Sequence, residues 1–331
     1  MLFAPKFLPL LADSQMHIPD GFLSVLVSVV CWGLTVLGVG VALWRTGQEL
    51  DERKIPLMGV LGATIFAGQM LNFSVAGGTS GHLMGAAIAA ILLGPWPAVL
   101  VMTSVVSIQA LLFQDGGLLV LGANVFNMAI VGVFVAYGVY QTILTLTRNK
   151  PWGTFVGGFV AAWTSIVIAS LVVALQLALS GTSPANISVP AMGLIHMVIG
   201  AGEGLITIGA LAFLYATRRD LLGLAPAGPS RASNRAVWIG GLIIALALAV
   251  LSPLASIHPD GLEWVAEEQG FLNTAQDAPY EIIPDYVFPG LPDERVATIL
   301  AGIVGALIVF GTALGVAYLR HRRQPDTAYE A

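Results

Sequence analysis

The chain has 331 residues, of which 56% are hydrophobic and 10% charged, with a formal net charge of −5 and a mean hydropathy of +0.85. A soluble domain carries about a quarter charged residues, so this sequence has too little polar surface to cover a water-soluble globule, and lipid is the alternative cover. The short basic runs form no stripe of the kind nucleic acid requires, and the single cysteine, Cys31, excludes an internal disulfide and leaves a thiolate metal site short of ligands.

A helix needs about 20 apolar residues to cross the hydrocarbon. In chain order, such runs occupy residues 22–44, a long stretch within 57–113, then 120–146, 152–179, 190–215, 236–256 and 297–319. Asn72, Gly77, Gly78, His82, Gly94, Pro95 and Pro97 break the long stretch. It divides into helices at 57–73, 83–93 and 96–113, the middle one short enough to be tilted or partly re-entrant. The expected fold class is all-α: a polytopic transmembrane helical bundle of about nine helices, seven plus a two-helix C-terminal hairpin. The N-terminus is placed outside.

Charge placement supports that count. Cytoplasmic loops are enriched in Lys and Arg. Nine alternating spans put Arg45, Arg53, Lys54, Arg148, Lys150, Arg218, Arg219, Arg231, Arg235, Arg320, Arg322 and Arg323 inside, which is every basic residue of the 14 except Lys6 and Arg295. The C-terminus is then cytoplasmic. The long outer loop, 258–296, is acidic instead: Asp260, Glu263, Glu267, Glu268, Asp277, Glu281, Asp285, Asp293 and Glu294. It reads either as a plain solvated loop or as an anionic vestibule that concentrates cations. Residues 221–235, rich in Pro, Gly, Ala and Ser, form a cytoplasmic linker between a membrane domain at 16–220 and the hairpin at 236–323. Residues 324–331 are a cytoplasmic tail, and residues 1–15 are a cleaved leader or precede the true start.

Polar groups at membrane depth are costly and mark candidate sites. Of the five histidines, His17, His82, His196 and His258 fall at or near the outer side, and His321 in the basic tail. Imidazole suits late first-row divalent ions, and glycines 77, 78 and 81 let the backbone before His82 turn tightly. A lone histidine at a helix end is ordinarily an interfacial residue, and periodicity cannot bring His17 to His82. His196 and Glu203 lie seven apart, two turns of one helix face. Glu203 reads as a proton relay, a transient cation site or a helix-orienting hydrogen bond. No GxxxxGK[ST] loop occurs, so ATP hydrolysis would need another subunit, and no HExxH or GxSxG motif supports an enzyme.

Four segments carry a resemblance: MHIPDGFLS from Met16, NFSVAGGTSGHLMGAAIAAILLGPW from Asn72, LLFQDGGLLVLGANVFNMAIVG from Leu111, and IHMVIGAGEGLIT from Ile195. In this order they resemble the CbiM/NikM family, the substrate-binding membrane subunit of energy-coupling-factor nickel and cobalt transporters. Pro259-Asp260-Gly261-Leu262-Glu263 resembles the small companion subunit of the CbiN/NikN or PDGLE type, here fused. The resemblance implies import of Ni2+ or Co2+ with no organic cofactor, in the plasma membrane, with a membrane coupling subunit and cytoplasmic ATPases as partners. It places the metal ligands on the amino nitrogen of Met16, the backbone nitrogen and imidazole of His17, and the imidazole of His82. Four nitrogens in a plane suit Ni(II). Asn72, Ser80 and Asn124 are weaker candidates for orienting those ligands. Residues 1–15 would block the Met16 amine, so translation from Met16 or cleavage of a leader is implied. Otherwise the extension is retained and the site altered. A stand-alone proton-coupled permease using Glu203 is the alternative reading.

Overall fold

The computed structural model describes residues 16–52, 54–75, 77–224 and 230–321. The expected leader, five residues of the expected linker and the basic tail from Arg322 lie outside the described residues.

Seven described helical segments are long and apolar enough to cross a membrane. The first, α1 (Val25–Glu49), starts where the Ser24 hydroxyl accepts a hydrogen bond from the Val27 amide, a helix N-cap. Its outer face, with Val25, Leu26, Val29, Val36 and Leu37, is exposed, as expected of a surface solvated by lipid. Then follow α2 (Lys54–Gln69) and two short paired strands, β1 (Phe73–Val75) and β2 (Thr79–Gly81). Beyond them come α3 (Ala86–Leu93) and α4 (Pro95–Ile108), which continues as a wide-turn segment to Phe113. The third long crossing is built in pieces: α5 (Leu121–Val125), a wide turn, and α6 (Gly132–Leu146). It leads into α7 (Pro151–Ser180) and α8 (Ala185–Thr217). In the C-terminal part, α9 (Ser230–Leu251) and α11 (Glu294–His321) flank a short helix, α10 (Gly261–Glu268).

The count of nine crossing helices is modified at two places. Helix α2 has 16 residues and ends at Gln69, before the expected boundary, where the chain turns into the β-hairpin. Helix α3 has eight residues, about 12 Å of rise, too little to cross alone. Residues 82–85 run as non-helical chain into the bundle, and α3 completes the crossing. The alternation survives. The Lys54 ammonium at the start of α2 donates to the Leu93 carbonyl at the end of α3, and His321 at the end of α11 lies 3.3 Å from Glu52. These contacts gather the basic end. At the opposite end, the Ile283 amide donates to Leu112, the Ser256 amide to Asn72 and the Thr182 hydroxyl to Phe22.

The C-terminal pair packs tightly on α2. A β-carbon at Gly241 would lie 2.0 Å from Val60, and one at Gly305 would lie 2.2 Å from Phe66. Small residues thus set the close approach of α9 and α11 to α2.

A break in a buried helix leaves backbone donors without partners, a cost the surroundings must offset. Here the fully buried carboxylate of Glu203, on α8, accepts from the amides of Met84 at 2.8 Å and Gly85 at 2.9 Å. The Gln69 side-chain amide donates to the Met84 carbonyl at 2.9 Å. Gly85, at φ +79°, takes a backbone conformation that other residues resist. Of the readings open for Glu203, the orienting hydrogen bond is the one observed.

Glu203→Ala would strand two buried amides, at about 1–3 kcal/mol each. We expect a lower thermal midpoint for the purified protein in detergent. Glu203→Gln, which keeps one acceptor, should fall between parent and alanine variant; equal midpoints for all three would contradict the capping role.

Candidate metal centre

The N-terminal segment 16–20 lies buried across the mouth of the bundle. Asn124 on α5 grips it with both ends of its side-chain amide: Oδ1 accepts from the Ile18 amide and Nδ2 donates to the Ile18 carbonyl, each at 3.0 Å. Asp20 accepts from three consecutive amides, Leu118, Leu119 and Val120, at 2.9–3.1 Å. The loop after α4 can pass this close only because it carries glycines. A β-carbon at Gly116 would lie 2.8 Å from His17, and one at Gly117 would lie 2.2 Å from the Asp20 amide.

These contacts hold His17 next to His82, whose ring is delivered by the chain leaving the β-hairpin. The two ring centroids are 5.9 Å apart and tilted by 46°. With metal–nitrogen bonds of about 2.0–2.1 Å, rings so placed can share one ion. His82 Nδ1 lies 3.1 Å from the Leu83 carbonyl. A proton there leaves Nε2 as the free lone pair. His17 is buried, and neither of its ring nitrogens has an aligned hydrogen bond among the described residues. Its Nδ1 lies 2.9 Å from the Asp115 carboxylate, close enough for an ion pair although not aligned as a hydrogen bond.

Both rings face a chamber of about 90 Å³ whose lining includes Met16, Asn124, His196 and Asp260. No group of three or more His, Cys, Asp and Glu suited to a metal occurs among the described residues. Two imidazoles therefore need backbone nitrogens or water to complete a coordination shell. The expected chelate through the His17 backbone nitrogen closes at Nδ1, the nitrogen that faces Asp115 here. That chelate requires Asp115 to leave Nδ1, and Nε2 is the His17 nitrogen away from Asp115.

The electrostatics follow from burial opposed by nearby charge. Burial disfavours an imidazolium at His17, but the Asp115 carboxylate outweighs it and raises the His17 pKa above its ordinary value. Burial likewise pushes Asp115 up, and His17 reverses this, holding the carboxyl below the usual range. Asp260 is raised, chiefly by burial, against an opposing pull from His82.

The weaker candidates part ways. Asn124 touches the segment that carries His17. Ser80 anchors the C-terminal loop: its amide donates to the Pro259 carbonyl at 2.8 Å and its hydroxyl to the His258 carbonyl at 2.9 Å. Asn72 meets that loop through its backbone carbonyl, its side-chain oxygen has no hydrogen-bond partner among the described residues, and it does not line the chamber. His196 lines it, with Nδ1 2.8 Å from the Met192 carbonyl. Glu203 does not line it.

The acidic loop is not the plain solvated loop of one expectation. Asp260 is buried and lines the chamber, and Glu263 is buried beside it, while Glu267, Glu268, Asp277, Glu281, Asp285, Asp293 and Glu294 remain exposed. Asp260 caps α10 by accepting from the Glu263 amide at 2.8 Å. A β-carbon at Gly261 would sit 3.0 Å from the His196 ring. Sequence reasoning missed Asp20, Asp115 and Asp260 as site residues. Their shared signal was an Asp-Gly pair at Asp20, Asp115 and Asp260.

Comparison with known proteins shows the family. Residues 17–221 match the family described as the cobalt uptake substrate-specific transmembrane region, CbiM, and residues 235–322 match the PDGLE domain. A NikMN relative from Archaeoglobus fulgidus is 37% identical over 322 residues, 93% of this chain and 99% of that protein. The fused nickel transport protein NikMN of Rhodobacter capsulatus is 35% identical over 274 residues, 76% of each chain. The cobalt transport protein CbiM of Sorangium cellulosum is 33% identical over 213 residues, 62% of this chain and 94% of that one. A crystal structure described as a transition metal transporter is 35% identical with a TM-score of 0.54, covering 64% of this chain and 98% of its own. These relatives are named as transport proteins and not as enzymes. The chain is a multi-pass membrane protein that belongs to the CbiM family, with a PDGLE domain joined at its C-terminal end.

Proposed function

We propose that this chain captures nickel or cobalt on the outer face of the plasma membrane. It acts as the substrate-binding component of an energy-coupling-factor importer. The observation that carries the reading is the pair of imidazoles, His17 and His82, 5.9 Å apart on a chamber walled by protein. Met16 supplies its backbone nitrogen, as a free amine when the mature chain begins there. Nitrogen donors favour late divalent ions over magnesium or calcium, which prefer oxygen. The exposed carboxylates of the C-terminal loop draw cations toward the mouth. Residues 16–220 form the binding domain, residues 236–323 an accessory domain that closes over it, and the C-terminus faces the cytoplasm. A membrane coupling subunit and paired ATPases supply the energy. The proton-coupled permease reading loses its main support, since the Glu203 carboxylate is committed to two backbone amides.

Removing either imidazole should weaken nickel binding at least about a hundredfold, because ligand loss exceeds the 10–100-fold cost of losing an outer partner. Calorimetric titration of the detergent-purified full chain reads this directly. Parent-like affinity in both His17→Ala and His82→Ala would sink the assignment.

Protons compete with the ion for imidazole nitrogen. Because His17 has a raised pKa, it holds its proton to a higher pH than an ordinary histidine. Nickel affinity should therefore fall as pH drops through that raised value, by about tenfold per pH unit for each competing proton. Affinities measured across a pH series check the sign; binding that strengthens on acidification would contradict it.

A further inference from the structure

One imidazole on the chamber is not accounted for by the four nitrogens expected around the ion. His196 lies on α8, seven residues before Glu203 and about 10 Å of helix rise from it. The C-terminal loop packs directly against its ring: a β-carbon at Gly261 would lie 3.0 Å from Cε1 and 3.2 Å from Nε2. Only a glycine lets the loop pass so close. On the other edge of the ring, Nδ1 lies 2.8 Å from the Met192 carbonyl, one turn earlier on the same helix. A proton there leaves the Nε2 lone pair free. A backbone carbonyl on one ring nitrogen is also the usual support of an imidazole that binds metal through the other. His17, His82 and His196 all line the chamber, yet among the described residues no three such side chains form a group suited to one ion. His196 therefore stands apart from the shell built on His17 and His82.

The geometry points to His196 as a transient ligand, which takes the incoming divalent ion through Nε2 and passes it to His17 and His82. The chamber, of about 90 Å³, far exceeds the roughly 10–15 Å³ that one water needs. An ion can therefore enter with part of its water shell. Removing that shell in one step is costly, because an unpaired charge in a protein interior lacks the solvation it had in water. An imidazole that replaces one water midway lowers the barrier. Asp260, next to Gly261 in the same loop, is buried and lines the chamber, so its carboxylate adds favourable charge along the way. A ligand used only in passage speeds arrival and departure alike and leaves the two end states as they were. The inference rests on the reading that His17 and His82 hold the ion; it adds the step by which the ion reaches them.

Rapid mixing of nickel alone with the detergent-purified full chain reads the association rate, and a chase of the loaded chain with excess chelator reads the dissociation rate. In His196→Asn the shorter amide can still donate to the Met192 carbonyl, while the Nε2 donor is gone. Both rates should fall together, by about tenfold or more, and the absorption spectrum of bound nickel should match the parent's. A packing defect would not slow both rates by one factor. His196→Gln returns an amide oxygen near the lost nitrogen, a weaker donor, and should lie between parent and His196→Asn; rates below those of His196→Asn would contradict the transient role. Parent-like rates in His196→Asn overturn the inference. So does slower association with unchanged or faster dissociation, because lost affinity would make His196 a support of the bound ion. His82→Ala separates this step from the site assignment. If His82→Ala keeps its nickel, the assignment fails. If it loses nickel while His196→Asn matches the parent in both rates, the transient-ligand inference alone fails.

Discussion

The structure depends on how a membrane bundle tolerates a broken helix. Residues 82–85 enter the bundle as non-helical chain, and the amides of Met84 and Gly85 would be stranded in a poorly solvated interior without the Glu203 carboxylate. That one interaction lets the chain leave the β-hairpin, turn inward at Gly85 and carry His82 to the chamber. A continuous helix from Gln69 to Leu93 would have no hairpin and could not present the imidazole there. The positive end of α3 and the negative carboxylate also suit one another, so the cap serves backbone satisfaction and electrostatics together.

The site is then a matter of convergence. Five stretches from the same end of the bundle are tied to one another around the site: residues 16–22, the hairpin, the loop after α4, the turn between α7 and α8, and the long segment between α9 and α11. Several junctions are tied by backbone groups, as in the pairs Ser80–Pro259, Asp20–Gln276 and Ile283–Leu112. Backbone ties hold position without depending on flexible side chains. That suits a site that must present two imidazoles at one separation while excluding water. The acidic residues divide in the same spirit, with Asp115 and Asp260 buried beside imidazoles and seven carboxylates of the C-terminal loop left exposed. Inner carboxylates tune the site, and outer ones set the field that an approaching cation meets.

Much of this could be read before any coordinates. The long apolar runs located seven crossing helices to within a few residues, and the basic clusters sorted the loops between two ends that the contacts at Lys54 and His321 keep together. His17 and His82 stood out as imidazoles on one side. What the sequence could not express is contact across the chain. Nothing in its periodicity reports that α3 begins only at Ala86, because the extended residues before it are as apolar as a helix. Asp115 drew no reading of its own from the sequence, and its place beside His17 is set by a neighbour 98 positions away in sequence. The resemblance contained the Asp-Gly pairs without telling which carboxylates face inward. Asn72 and Asn124 looked equivalent as polar residues in apolar runs, yet only Asn124 grips the His17 segment.

The central claim is that two imidazoles, from the N-terminal segment and from the broken helix, share a single divalent ion. X-ray absorption at the nickel edge of the loaded full chain tests it most directly. Imidazole rings give a distinctive outer-shell scattering pattern, and the account predicts two of them in a shell of nitrogen donors. With Met16, Met84, Met128 and Met192 also lining the chamber, a shell dominated by sulfur, or one without imidazole scattering, would contradict it.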